Sequence, residues 1–374
     1  MKIIIGGDVS PRGSLSAKID RGEFEEIMGA VKPVFQSADF SIINFETTIA
    51  TFEDKPIIKY GPNLKTSSRI IELLEWVGVN VVTLANNHVG DFGPKAIIRV
   101  LEKLKNCGIK YVGAGINQTD AAKILYLKKN DLTVGIINCC EHEYGASTAT
   151  EAGSNLLNPI KQYYAITEAA RNSNYVIVIV HGGHEQFPLP SPRMQDTYRY
   201  FIDCGADAVI NGHQHCFSGY EIYKNKPIYY GLGNLLFNWT GKQKPYGWST
   251  GIMIELDFDK QMLKHQYIPY TQCENNLKIS VDDDFTALKA QFESLSSIIS
   301  NRTELEKAVD SYYSESQKSI NTALQPWRGF FKSAYWHGLL PSLLSKDTLR
   351  GIHNMVTCEA HRDKLECFFK KSIF

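Results

Sequence analysis

Short uninterrupted apolar runs recur through the first two-thirds of the chain: KIIIGG (2–7), FSIINF (40–45), VNVVTLA (79–85), LTVGIINCC (132–140), YVIVIVHGG (175–183) and ADAVING (206–212). Their length and β-branched content read as strands buried on both faces. Segments with helical apolar periodicity lie between several of them, such as SSRIIELLEWVG (67–78) and PKAIIRVLEKLKNCG (94–108). The second opens on proline and closes on glycine, as helices prefer. RMQDTYRYFIDCG (193–205) repeats the glycine stop. Strands separated by helices predict an α/β layered domain. From about 219, GYEIYKNKPIYYGLGN and GIMIELDF are strand-like with no helix between them, so part of the sheet is expected to be antiparallel and the sheets mixed.

The pattern changes after about 272. Long stretches such as 285–317 are built from helix formers, which predicts a main domain over 1–272 and a helical C-terminal appendage over 273–374. WRGFFKSAYWHGLLPSLL (327–344) is aromatic enough for a membrane-surface or partner-binding element. The plainer reading has it packing on the main domain. No internal repeat or low-complexity tract interrupts the chain.

Composition narrows the field. The 374 residues carry zero formal net charge, with 43% hydrophobic and 21% charged positions, so no global basic field recruits nucleic acid or an acidic membrane. The eight cysteines show no CxxC spacing and read as mostly buried thiols of a reducing compartment. Cys358, His361 and Cys367 have a metal-like look, but on one continuous helix the two cysteines would face opposite sides. MKIIIGGDVS runs directly into a strand, and no stretch reaches the ~20 apolar residues of a membrane span. A cytoplasmic location with no transmembrane segment is expected.

Candidate chemistry sits where the apolar runs stop. The first ends in Asp8, the second in Asn44 and Glu46, the third in Asn86, Asn87 and His88. A later one ends in His181, followed by His184 and Glu185, and the last in His213 and His215. In open α/β sheets ligands collect beyond the carboxyl ends of strands. Imidazole with carboxylate and amide oxygen suits divalent manganese, iron or zinc, and the lack of a thiolate cluster argues against a structural zinc. In an extended segment His213 and His215 would point to one side, with Gly212 letting the backbone turn close beneath them.

GGDVS, NFETTIA, LANNHVGDFG, HGGHEQ, GADAVINGHQH and IYYGLGNLLF, in this order, resemble the CapA or poly-γ-glutamate capsule-synthesis family, within the calcineurin-like metallophosphoesterase superfamily. The resemblance covers about residues 1–240. It implies a layered metallophosphoesterase-like β-sandwich flanked by helices, and a site for two divalent ions. Asp8 and His215 match ligands of the first ion, Glu46 the bridging carboxylate, and Asn87, His181 and His213 ligands of the second. His88 matches the histidine beside the scissile phosphate, with Asp91 placed to orient its ring. Ser10 stands where the superfamily usually has a histidine, which leaves the first ion fewer strong ligands. Ser10, Asn44, His184 and Glu185 are candidates for supporting or substrate-contact roles. KYGPNLK (59–65) resembles the family's substrate-side segment, with Lys59 and Lys65 read as surface lysines.

The resemblance implies a hydrolase in which two ions ~3.5–4 Å apart activate a bridging water for attack on a phosphoester or related anionic substrate. Two divalent charges less Asp8, Glu46 and one hydroxide leave about one net positive charge for that substrate. It also implies a role in capsule-polymer biosynthesis, with an anionic small molecule or polymer as substrate and capsule-synthesis proteins as partners. The alternative is a non-catalytic accessory component docking through its helical tail. Amide hydrolysis on a polyglutamate-like chain by the same hydroxide is the third option.

Overall fold

The computed structural model describes residues 1–273, 276–279 and 283–373. Sixteen strands are described: β1 (Lys2–Val9), β2 (Phe40–Phe45), β3 (Val81–Thr83), β4 (Lys110–Val112), β5 (Ala114–Gly115), β6 (Leu125–Lys129), β7 (Leu132–Cys140) and β8 (Gly153–Ser154). The rest are β9 (Tyr175–His181), β10 (Ala208–Gly212), β11 (Tyr220–Tyr223), β12 (Lys226–Tyr229), β13 (Asn234–Leu236), β14 (Thr250–Phe258), β15 (Leu263–Gln272) and β16 (Leu277–Ile279). One sheet runs β16-β15-β14-β1-β2-β3-β4, with β13 also paired to β1. A second runs β11-β12-β10-β9-β7-β6, and β5 pairs with β8.

Both sheets are mixed, as expected. β1 to β4 are parallel, as are β7, β9, β10 and β12, while β14 to β16, β6 and β11 pair antiparallel. Parallel pairing brings the carboxyl ends of neighbouring strands to one edge. That edge is where the polar residues ending the apolar runs collect.

Alternation along each strand sends side chains to two faces. Ile4, Ile43 and Val82 share a core with Leu15, Phe35, Leu74 and Val100 of the flanking helices. Ile5, Asn44 and Thr83 of the first sheet and Asn138, Ile179 and Asn211 of the second line one small cavity, so the sheets face each other. Helices 159–172 and 192–203 pack on the second sheet. The result is a β-sandwich flanked by helices. Asn138 ties it together: its Oδ1 accepts from Leu84 N (3.2 Å) and Ala85 N (2.8 Å), and its Nδ2 donates to Ile179 O (3.0 Å).

The compact units divide at Glu306/Lys307, later than the expected 272/273 boundary. Packing explains the difference for the helix Asp283–Ser300. Phe292 stacks on Tyr220 at 5.4 Å, Ser296 Oγ accepts from Tyr220 N at 3.1 Å, and Gln195 Nε2 donates to Ile299 O at 2.8 Å. The long helical stretch also breaks at Asn301, where Glu304 N donates to the Asn301 side chain.

The second unit, Lys307–Phe374, is helical, with helices Gly329–Trp336, Lys346–Thr357 and Glu359–Ile373. Within it Gln325 joins Ser342 and Leu343 through its amide. Phe330 and Leu339 are left 79% and 75% exposed. All eight cysteines are free. Cys139, Cys140 and Cys216 are buried, but Cys107 and Cys367 are exposed, so burial of the thiols is less general than expected.

Candidate metal centre

Asp8 is the second-to-last residue of β1, and strand register sets it opposite Asn44 of β2 and Asn234 of β13. Gly7 makes the second pairing possible, because a Cβ there would lie 1.9 Å from Gly233 O. Asn44 Nδ2 donates to Asp8 Oδ1 (2.7 Å) and lies 3.1 Å from His181 Nδ1. His181 ends β9, and its Nε2 is 3.1 Å from Asn87 Oδ1, 3.0 Å from His213 Nδ1 and 3.4 Å from Glu46 Oε1. His215 completes the ring, its Nδ1 2.9 Å from Asn234 Oδ1 and 3.7 Å from Asp8 Oδ2, its Nε2 3.9 Å from Glu46 Oε1. Asp8, Glu46, Asn87, His181, His213 and His215 thus meet at one place, all buried.

His213 and His215 converge by a different route from the extended one expected. β10 stops at Gly212, and His213 (φ 95°) and His215 (φ 58°) both adopt left-handed backbone. Such a conformation disfavours side chains and persists where the surroundings impose it, often at functional sites. Here His213 N donates to Asp8 Oδ2 at 3.2 Å, and a Cβ at Gly212 would lie 3.1 Å from Asp8 Oδ1. The turn lies directly against the carboxylate.

Glu46 is the centre of the constellation. Both of its carboxylate oxygens are buried without a hydrogen-bond partner among the described residues. An unpartnered buried carboxylate is costly unless a cation meets it. Glu46 with His181 and His213, and Glu46 with Asp8 and His215, each offer three donor atoms within 4.8 Å of one another. This donor set can hold a divalent cation.

The protonation states agree. Burial, reinforced by Glu46, pushes Asp8 up to about 7, and burial with Glu185 raises Glu46 well above the usual carboxylate range. Burial pushes His215 down to about 3 and holds His213 well below the ordinary imidazole value. Neutral imidazoles already have the lone pairs a metal takes, and only the carboxylate protons must leave.

Beside these donors His88 Nδ1 lies 2.7 Å from Asp91 Oδ2. Asp91 Oδ2 also accepts from Leu64 N at 2.6 Å. Asn86 Oδ1 accepts from His88 N and Val89 N and fixes the turn. Burial lowers the His88 pKa, and the bond to Asp91 opposes that.

Lys59 differs from its expected surface position. Its side chain is 1% exposed, and its ammonium is ion-paired with Asp91, 3.1 Å from His88 Nδ1 and 3.5 Å from Asn87 O. Lys65 rests 5.5 Å from the Phe92 ring and is exposed.

The remaining candidates divide. Asn44 is a hub holding Asp8 and His181. Ser10 is buried, its hydroxyl without a partner among the described residues. Glu185 lines the adjoining cavity with His88, whereas His184 belongs to neither donor group and lies 6.4 Å from Phe187.

Glu143 was missed: its Oε2 accepts from Asn87 Nδ2 at 2.6 Å and so turns the Asn87 oxygen toward His181. The signal was present, because LTVGIINCC also runs into Glu141, His142 and Glu143. Asn234, which orients His215, is the polar residue of GLGN.

A family model described as bacterial capsule synthesis protein PGA_cap matches residues 2–239. Capsule biosynthesis protein CapA of Bacillus anthracis is 28% identical over 244 residues, which cover 63% of this chain and 59% of that protein. PGA biosynthesis protein CapA of Bacillus subtilis is 27% identical over 58% of each. A Mycobacterium tuberculosis protein named "Probable polyglutamine synthesis accessory protein MT0602" is 28% identical over 55% of this chain and 57% of that protein. The chain therefore spans less than two thirds of the length of these relatives.

Proposed function

The chain belongs to the bacterial capsule synthesis protein PGA_cap family, which is metallophosphoesterase-like, and from that premise we propose that it is a metal-dependent phosphoesterase acting in capsule-polymer assembly. The observation that carries the reading is Glu46, buried and unpartnered in the midst of Asp8, His181, His213 and His215. In this reading Asp8, Glu46 and His215 hold one divalent ion, and Glu46, Asn87, His181 and His213 hold the other. When bound, such ions supply Lewis-acid stabilisation of phosphoryl charge and lower the pKa of water.

The chain's own groups do the rest. Metal binding would take the protons from Asp8 and Glu46, and the positive charge left on the cations would draw a phosphate. Asp91 engages His88 Nδ1 and favours the imidazolium, so Nε2 is the ring nitrogen left to give a proton to the leaving oxygen when the ring is charged. Lys59 balances Asp91 through the other carboxylate oxygen. Asn44 and Glu143 set the orientations of Asp8, His181 and Asn87.

Manganese-loaded protein should hydrolyse p-nitrophenyl phosphate, and His88→Ala should lower turnover by about 10²–10⁴-fold while retaining metal. Equal turnover of the two proteins removes His88 from the mechanism.

Among the described residues no helix is long and apolar enough to cross a membrane. A second reading, an accessory component that docks on capsule-synthesis proteins, is favoured by the exposed Phe330 and Leu339 and by the accessory role in one relative's name. Deleting residues 307–374 should then abolish association with those proteins and spare metal uptake. Retained association rules out the tail as the docking surface.

A further inference from the structure

A cavity of about 330 Å³ opens beside the metal donors and is lined by Arg12, His88, His215, Phe237, Trp239 and Trp248 among others. Its apolar side is a small aromatic cluster of its own. Trp248 lies 4.8 Å from the His215 ring and 5.1 Å from Phe237, and Trp239 covers it at 4.9 Å, roughly edge-on. Phe237 and Trp248 are buried, and the Trp248 indole donates to Phe237 O at 2.6 Å. Those two explain themselves as support for His215.

Trp239 does not. It is only half-buried, yet its indole N–H is buried and has no acceptor among the described residues.

Arg12 is the second unexplained group. Its backbone N–H donates to Asn238 Oδ1 at 2.8 Å, which ties it to the segment carrying Trp239. Its guanidinium is half-buried and has no hydrogen-bond or ion-pair partner among the described residues. Guanidinium remains charged and matches phosphate geometry. An unpaired arginine and a half-exposed indole ring on the walls of one cavity, next to the metal donors, call for an anion joined to a planar or ring-shaped group.

We propose that this cavity is the leaving-group subsite for a phosphate ester of a ring-bearing alcohol, a sugar or a nucleoside. Arg12 contacts a phosphoryl oxygen and Trp239 packs against the ring. Glu185 also lines this cavity and is a candidate to accept from ring hydroxyls. The assignment rests on the phosphoesterase reading and narrows it to a substrate class.

Methylphosphonate and phenylphosphonate resist hydrolysis and differ only by the ring, so titrating them calorimetrically into manganese-loaded protein isolates the subsite. Wild type should bind phenylphosphonate about tenfold tighter. Trp239→Ala should reduce that preference to about twofold or less without changing methylphosphonate affinity, and Trp239→Phe should retain most of it. Arg12→Ala should weaken both ligands alike, by about tenfold. Displacement of phenylphosphonate by glucose 1-phosphate identifies a sugar and by adenosine monophosphate a nucleoside, and either supports the assignment.

A wild-type protein that binds both phosphonates equally, or a preference that survives Trp239→Ala, overturns the subsite and leaves the phosphoesterase reading standing. A wild-type protein that binds neither overturns both.

Discussion

The ammonium of Lys59 lies 3.1 Å from the Nδ1 of His88, although the two residues are 29 positions apart and Lys59 comes from a loop without regular structure. The same ammonium pairs with Asp91, so the carboxylate that orients His88 is balanced by a buried cation. Lys59 therefore holds the loop against the site and sets the charge around the histidine at once.

Lys59→Met should leave Asp91 buried without its counter-charge. Breaking such a pair destabilises by about 3–5 kcal/mol. Chemical denaturation should show that loss, with a fall in phosphatase turnover and unchanged manganese content. An unfolding transition equal to wild type would show that the pair holds nothing in place.

Glu46→Gln should act in opposite directions on the two forms of the protein. Metal affinity should drop by at least about 100-fold, because a proposed ligand of both ions is lost and even an outer partner of a ligand is worth about 10–100-fold. Metal-free protein should become more stable, because an unpartnered buried carboxyl disappears. Elemental analysis and thermal unfolding with and without manganese test both, and His265→Ala, outside the site, serves as control. A melting temperature lowered in the metal-free state would contradict the placement of Glu46.

Metal binding should strengthen as pH rises through about 7. Asp8 sits at about 7 in the folded metal-free chain against 3.8 ordinarily, so the folded chain holds the extra proton in that window. The stability this proton contributes is complete below about 4 and is lost as pH rises through about 7. His215 runs the other way: its folded value of about 3 lies below 6.5, and its contribution is lost as pH falls toward 3. Metal displaces the Asp8 proton, so the manganese-induced rise in melting temperature should grow between pH 5 and pH 8. Asp8→Asn should flatten that growth, and an unchanged slope in the variant would assign the proton elsewhere.

Asn138→Leu should weaken the sandwich without touching a metal donor. It strands the Ala85 N–H and the Ile179 carbonyl, now satisfied at 2.8 and 3.0 Å. A buried group left unpaired costs about 1–3 kcal/mol, so denaturant unfolding should show a loss of roughly 2–4 kcal/mol. Metal stoichiometry should stay the same. A neutral substitution would mean the two sheets are held by apolar packing alone.

The sequence by itself determined the longer apolar strands and marked the candidate donors at their ends. Buried parallel strands must be continuous apolar runs, and their polar endings stand out for that reason. Asp8, Glu46, Asn87, His181, His213 and His215 were all legible in this way, and the order of motifs carried the family. Tertiary structure alone decided which loops close on that edge. Lys59, Glu143 and Arg12 belong to residue types that usually lie in solvent, and no local pattern separates a buried ammonium from an exposed one. Their roles arise only when a loop distant in sequence packs against the strand ends. The left-handed turn at His213 and His215 was illegible too, because backbone strain is set by the contacts that impose it, here the carboxylate of Asp8 more than 200 residues away.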